Sequence, residues 1–124
     1  MDLTTLLTSF EGRINRAKWW LGWLVMLILE AIAWIVAYAV AGFPTEANHP
    51  GLVAFAVIHG IFGLVLLYMM LAIYTKRWHD RGKSGWWTLI ILIPIIGGIW
   101  ILIELGILEG TRGPNQYGPD PLGQ

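Results

Sequence analysis

The sequence predicts an all-α integral membrane protein, with three transmembrane helices preceded by a short interfacial helix. Three observations carry that prediction. Of the 124 residues, 56% are hydrophobic and 13% charged, with a mean hydropathy of +0.63, whereas soluble domains carry about 25% charged residues. Three apolar runs approach the length that crosses about 30 Å of hydrocarbon. Trp19, Trp20, Trp23, Trp78, Trp86 and Trp87 stand at the edges of those runs, where an amphipathic indole prefers the headgroup layer. Residues 1–124 are read as a single polytopic domain.

Leu3, Leu6, Leu7 and Phe10 recur at helical spacing, so the first ten residues read as an amphipathic surface helix or as a frayed tail. The first span is placed at 19–42, about 24 residues or roughly 36 Å of helix. It is too long for a signal-peptide core, no convincing cleavage site follows, and it is read as retained. Pro44, Asn48, Pro50 and Gly51 then break the helix into a short exposed turn. The second span is placed at 52–75 and the third at 86–108. Pro94, Gly97 and Gly98 interrupt the third, either kinking a crossing helix or splitting it into a re-entrant hairpin. A crossing helix is preferred, because neighbouring contacts usually absorb a proline inside a membrane. The Gly/Pro-rich tail, 109–124, is too broken for regular structure, with Tyr117 as its candidate interface anchor.

Lysine and arginine set the orientation. Arg13, Arg16 and Lys18 precede the first span, none occur at 43–51, Lys76, Arg77, Arg81 and Lys83 lie at 76–85, and Arg112 is in the tail. The positive-inside rule therefore places the N-terminus and the 76–85 loop in the cytoplasm, leaving the first turn and the tail outside.

The stretch "KRWHDRGKSGWW" contains Gly82-Lys83-Ser84, but a phosphate loop needs a glycine five positions earlier, where this chain has Arg77, and a strand before it. The nucleotide reading fails on both counts. Absence of cysteine excludes disulfides, thiolate catalysis and Cys-ligated zinc. His49, His59 and His79 lie at three depths without helical pairing, so neither metal nor another cofactor is expected. Nucleic acid is not an expected partner either.

Four segments, "SFEGRINRAKWW", "KRWHDRGKSGWW", "LIPIIGG" and "GTRGPNQYGPDP", together resemble the bacterial inner-membrane family called domain of unknown function 805, the YhaH-like proteins. The resemblance covers nearly the whole chain. It departs mildly at Lys76-Arg77-Trp78, where the family more often shows two arginines and leucine, and at Trp19-Trp20, where phenylalanine followed by tryptophan is common. It implies an inner-membrane protein and brings no activity, substrate or cofactor with it.

Two groups of residues merit weighing as sites. The first is the basic rim, Arg13, Arg16, Lys18, Lys76, Arg77, His79, Asp80, Arg81, Lys83 and Ser84. It reads as a clasp in which Asp80 pairs with arginines and Ser84 caps the third helix. Anionic lipid phosphate is a third party to it, and topology alone is the plainer account. His79 beside Asp80 has the form of an acid/base pair but lacks a convincing nucleophile, so no catalytic residue is assigned. The second is intramembrane: Glu30, whose charge at mid-span would cost about 2.5–3.5 kcal/mol or more, with Trp34, His59, Trp100 and Glu104 at neighbouring depths. A column of Glu104, His59 and Glu30 would serve as a polar bridge or as an ion or proton pathway. Ala33, Ala37 and Ala41, and Gly60 with Gly63, offer close helix packing, within the chain or between copies. The functional expectation is a non-enzymatic module that binds membrane lipid or a membrane-protein partner, itself included. An oligomeric transport or conducting element centred on Glu30 is the alternative.

Overall fold

The structure, a computed structural model, describes residues 1–123. Four α-helices occur in order: α1 (Leu3–Thr8), α2 (Arg16–Val40), α3 (Leu52–Asp80) and α4 (Ile96–Ile101). A 3₁₀ segment, Gly85–Leu92, precedes α4, and a π-helical segment, Leu102–Ile107, continues it.

Side-chain caps start the first two helices. Asp2 accepts from the Thr5 amide at 2.8 Å, and Asn15 accepts from the Lys18 amide at 2.9 Å. The α2–α3 turn is tight because Gly51 carries no side chain. A methyl there would collide with the Ala41 carbonyl. Ala33 and Ala37 are fully buried and Ala41 nearly so, which assigns the alanine stripe to packing within the chain.

The second span is longer than its apolar run. Lys76-Arg77-Trp78-His79-Asp80, expected in a loop, forms the last turns of α3, because Lys76, Arg77 and His79 turn back onto the chain's own carbonyls and Asp80 onto two arginines. Gly82 ends the helix at φ +77°, and the Lys83 amide bonds to the Trp78 carbonyl at 2.9 Å.

The third apolar segment differs most from expectation. It does not form a helix over 86–108. Pro94 disfavours helical geometry at the residue before it, and Ile93 is extended, at ψ 114°. Ile95 adopts φ +66°, an unusual conformation for a β-branched residue. The chain reverses there, and Gly97 seats against the carbonyl of Ile90, which a methyl would strike. Trp87 and Trp100, one on each arm, stack at 6.5 Å. The returning arm, Ile96–Ile107, is about 12 residues or roughly 18 Å, short of a crossing. The third apolar segment is therefore a hairpin, and the tail, expected opposite the N-terminus, lies beside it. Two helices, α2 and α3, remain long and apolar enough to cross a membrane.

The core lies at the polar end. Leu6, Leu7, Ile14, Trp19, Ile73, Tyr74, Trp78, Ile101 and Leu105 form one cluster. The most apolar stretches of α2 and α3 are only 11% and 0% buried, a surface that hydrocarbon, rather than water, would solvate.

Candidate functional site: a polar clasp and a Glu–His contact between the long helices

All eight cations gather at one end. An isolated helix leaves its last four carbonyls without partners, and this end contains three such termini, those of α1, α3 and the hairpin. The hairpin's terminus presents the carbonyls of residues 105 to 108. Arg77 donates to Leu105 at 2.7 Å and to Leu108 at 2.6 Å, Trp20 Nε1 to Gly106 at 3.0 Å, and Arg16 to Ile107 at 2.7 Å. At the end of α1, the fully buried Lys76 donates to the carbonyls of Thr5, Leu6 and Ser9 at 2.9, 2.6 and 2.5 Å. Arg13 holds the tail through the carbonyls of Thr111, Gly113 and Gly118, at 2.5, 2.7 and 3.1 Å. Positive charge at helix C-termini also opposes the negative end of the helix dipole.

Asp80 joins these pieces. One oxygen accepts from Arg13 Nε at 3.0 Å and Nη2 at 2.9 Å, and the other from Arg77 Nη1 at 2.5 Å. Its side chain is 5% exposed, those of Arg13 and Arg77 1% and 0%. Glu104 serves a second pair of cations, Lys83 at 2.8 Å and Arg81 at 3.5 Å, and accepts from Trp100 Nε1 at 2.8 Å. Lys83 Nζ also sits 4.7 Å from the Trp87 ring. Ser84 caps the 3₁₀ segment through the Trp86 amide at 3.3 Å, and Lys18 lies half-buried in the first turn of α2. In the tail, the hydrogen bond from Arg112 holds the Glu109 carboxyl below its usual range and raises Arg112 in turn.

His79 and Asp80 face different partners. His79 Nδ1 lies 2.9 Å from the Gly12 carbonyl; a carbonyl only accepts, so Nδ1 carries the proton. The ring stacks on Tyr117 at 3.9 Å. The aspartate orients two arginines, not the imidazole, and the two residues do not form an acid/base pair.

Far from this end, Glu30 Oε1 and His59 Nε2 meet at 2.9 Å. Trp34 lies 5.0 Å from the His59 ring, and Phe55, one turn earlier on α3, stacks on it at 5.6 Å. The expected column thus divides. Glu30, His59 and Trp34 come together, whereas Glu104 and Trp100 do not join them, because the reversal at Pro94 returns both to the basic end. Reading residues 86–108 as a crossing helix had reversed their depth. The carbonyl-capping role of Trp20, Arg16 and Arg13 also went unread: it becomes visible only once two helix ends are known to stop beside them.

Comparison with known proteins places the chain in a family. The profile of the family described as "Protein of unknown function (DUF805)" matches residues 7–119. The chain belongs to the DUF805 family. Similar DUF805 relatives in Escherichia coli K12 include "Inner membrane protein YhaH", 30% identical over 113 residues, 91% of this chain and 87% of that protein. "Inner membrane protein YhaI" is 29% identical, with coverage of 91% and 86%. "Uncharacterized protein YiiR" is 28% identical over 144 residues, with coverage of 97% and 90%. No solved structure matches the chain.

Proposed function

We propose that this DUF805 chain is a non-enzymatic binding module of the bacterial inner membrane. It crosses twice, keeps the N-terminus, basic end and tail in the cytoplasm, and recognises its partner within the bilayer. The distribution of polar groups supports binding there. At the basic end, Arg13, Lys76 and Arg77 are buried on the chain's own carbonyls, which leaves only the more exposed cations, Arg112 foremost, to anionic headgroups, at about 1 kcal/mol per charge.

One observation carries the reading: Glu30 and His59 form a hydrogen-bonded contact with 40% and 27% of their side chains exposed, amid an apolar surface. Gly60 and Gly63, with nothing within 4 Å of where a methyl would stand, leave a notch beside them. A close-packing notch next to a hydrogen-bonding pair suits a second transmembrane helix, and the occupant we assign is that of a second copy.

Energy transfer between copies labelled at Leu64→Cys, in a chain otherwise free of cysteine, tests this in liposomes. Transfer should appear at high protein-to-lipid ratio and fall when Gly60 and Gly63 become leucine. Its absence at every ratio overturns the proposal. The Glu30–His59 contact also favours a second reading, conduction of protons. For that, liposomes must show a proton flux that Glu30→Gln abolishes while the fold persists.

A further inference from the structure

Between α2 and α3, below the contact of Trp19 with Tyr74 at 5.7 Å, the helices leave a cleft of about 250 Å³. Trp23, Met26 and Glu30 line one wall and Leu66, Met70 and Tyr74 the other. The lining is almost wholly apolar except for one carboxylate. Glu30 stands about 21 Å along α2 from Arg16, by roughly 1.5 Å per residue, beyond reach of every lysine and arginine in the chain. Its contact is with the imidazole of His59, through Oε1. An acceptor placed in apolar surroundings, with no permanent cation nearby, is left to be completed by a positive group from outside.

The remaining walls suit the same visitor. Trp23, two turns from Glu30, extends the apolar wall, and Met26 and Met70 are unbranched side chains that adapt to an irregular apolar body. The volume lies just under the usual 300–1,000 Å³ of ligand pockets, so the fit is to a small amphiphile entering sideways from the bilayer.

From the cleft and its single carboxylate, we infer that Glu30 closes a binding site for a monocationic amphiphile, an alkyl or aryl ammonium whose charge meets Glu30 and whose apolar part fills the cleft. The inference rests on the α2–α3 surface being a binding surface, and it names a chemistry for one part of it.

The test uses the full chain, one copy per phosphatidylcholine nanodisc, with ¹³C-methyl methionine. Decylammonium is titrated against decanol, which partitions similarly but carries no charge. The Met26 and Met70 methyl resonances should shift saturably with the amine and not with the alcohol, while Met1, at the basic end, stays fixed. Glu30→Gln, whose amide oxygen keeps the His59 hydrogen bond, should weaken the amine's apparent affinity at least tenfold. Equal shifts with amine and alcohol, or unchanged affinity in Glu30→Gln, overturn the inference. If the variant misfolds, the amine–alcohol comparison in the unaltered chain decides alone. Because each disc holds one copy, self-association plays no part, and failure here leaves the proposed pairing of copies standing.

Discussion

Replacing Asp80 with asparagine removes one charge from a dry cluster without changing its volume. In the native chain, two guanidiniums share that carboxylate through three contacts of 2.5 to 3.0 Å, all three side chains being 5% exposed or less. In Asp80→Asn the guanidiniums keep their carbonyl partners, but two positive charges stand together with no counter-charge. Breaking a buried ion pair from one side costs about 3–5 kcal/mol, and the fork shared by Arg13 and Arg77 places this site in that class. The tail passes directly over Asp80: the Thr111 amide bonds to its carbonyl at 2.7 Å, and a methyl on Gly110 would collide with its carboxylate. Reversible unfolding in mixed dodecylmaltoside and dodecyl sulfate micelles, followed by circular dichroism, should register the loss. Lys18→Ala serves as the control and should stay within about 0.5 kcal/mol. A double-mutant cycle with Arg13→Leu should show a coupling of about 0.5–3 kcal/mol. An Asp80→Asn chain as stable as the Lys18→Ala control would refute the argument that this cluster binds the end together.

The hairpin makes a paired prediction: Gly97→Ala, forced against the Ile90 carbonyl, should destabilise by more than about 1–3 kcal/mol, whereas Gly98→Ala, with open space around it, should be neutral or slightly stabilising. Reporters sensitive to membrane side, fused before Met1 and after Gln124, should report the same side; opposite sides would dismantle the re-entrant geometry. Trp20→Phe should cost about 1–3 kcal/mol in the same micelle assay, since it strips the buried Gly106 carbonyl of its donor. Tyr117→Ala should free the tail from His79 and speed proteolysis near Arg112, leaving the helical signal of α2 and α3 unchanged.

The two crossing helices were legible because length and unbroken hydropathy are properties of a segment taken alone. So were the neighbouring depths of Glu30 and His59, because the 43–51 turn gives a common end to count from, whereas their contact depends on helix rotation, which the sequence leaves open. The hairpin was legible only as an alternative: Pro94 permits a kink or a reversal, and the choice depends on whether Gly97 finds a carbonyl to pack against. The extension of α3 through Asp80 failed for a related reason. A run of charges reads as solvated loop until the carbonyls it caps are known, and those belong to α1, Gly12 and the hairpin, up to 71 residues away. The reversal at Ile95 then displaced Glu104 and Trp100 from the expected column, so one unread turn accounts for both errors.

A hairpin that turns back partway also gives the body unequal girth. Where the arms lie, four segments of backbone run side by side; past Pro94 only α2 and α3 continue. A solute broader in one leaflet than in the other strains a flat bilayer less when that bilayer bends toward its narrow side. The position of a single proline thus sets the level at which the body narrows from four segments to two.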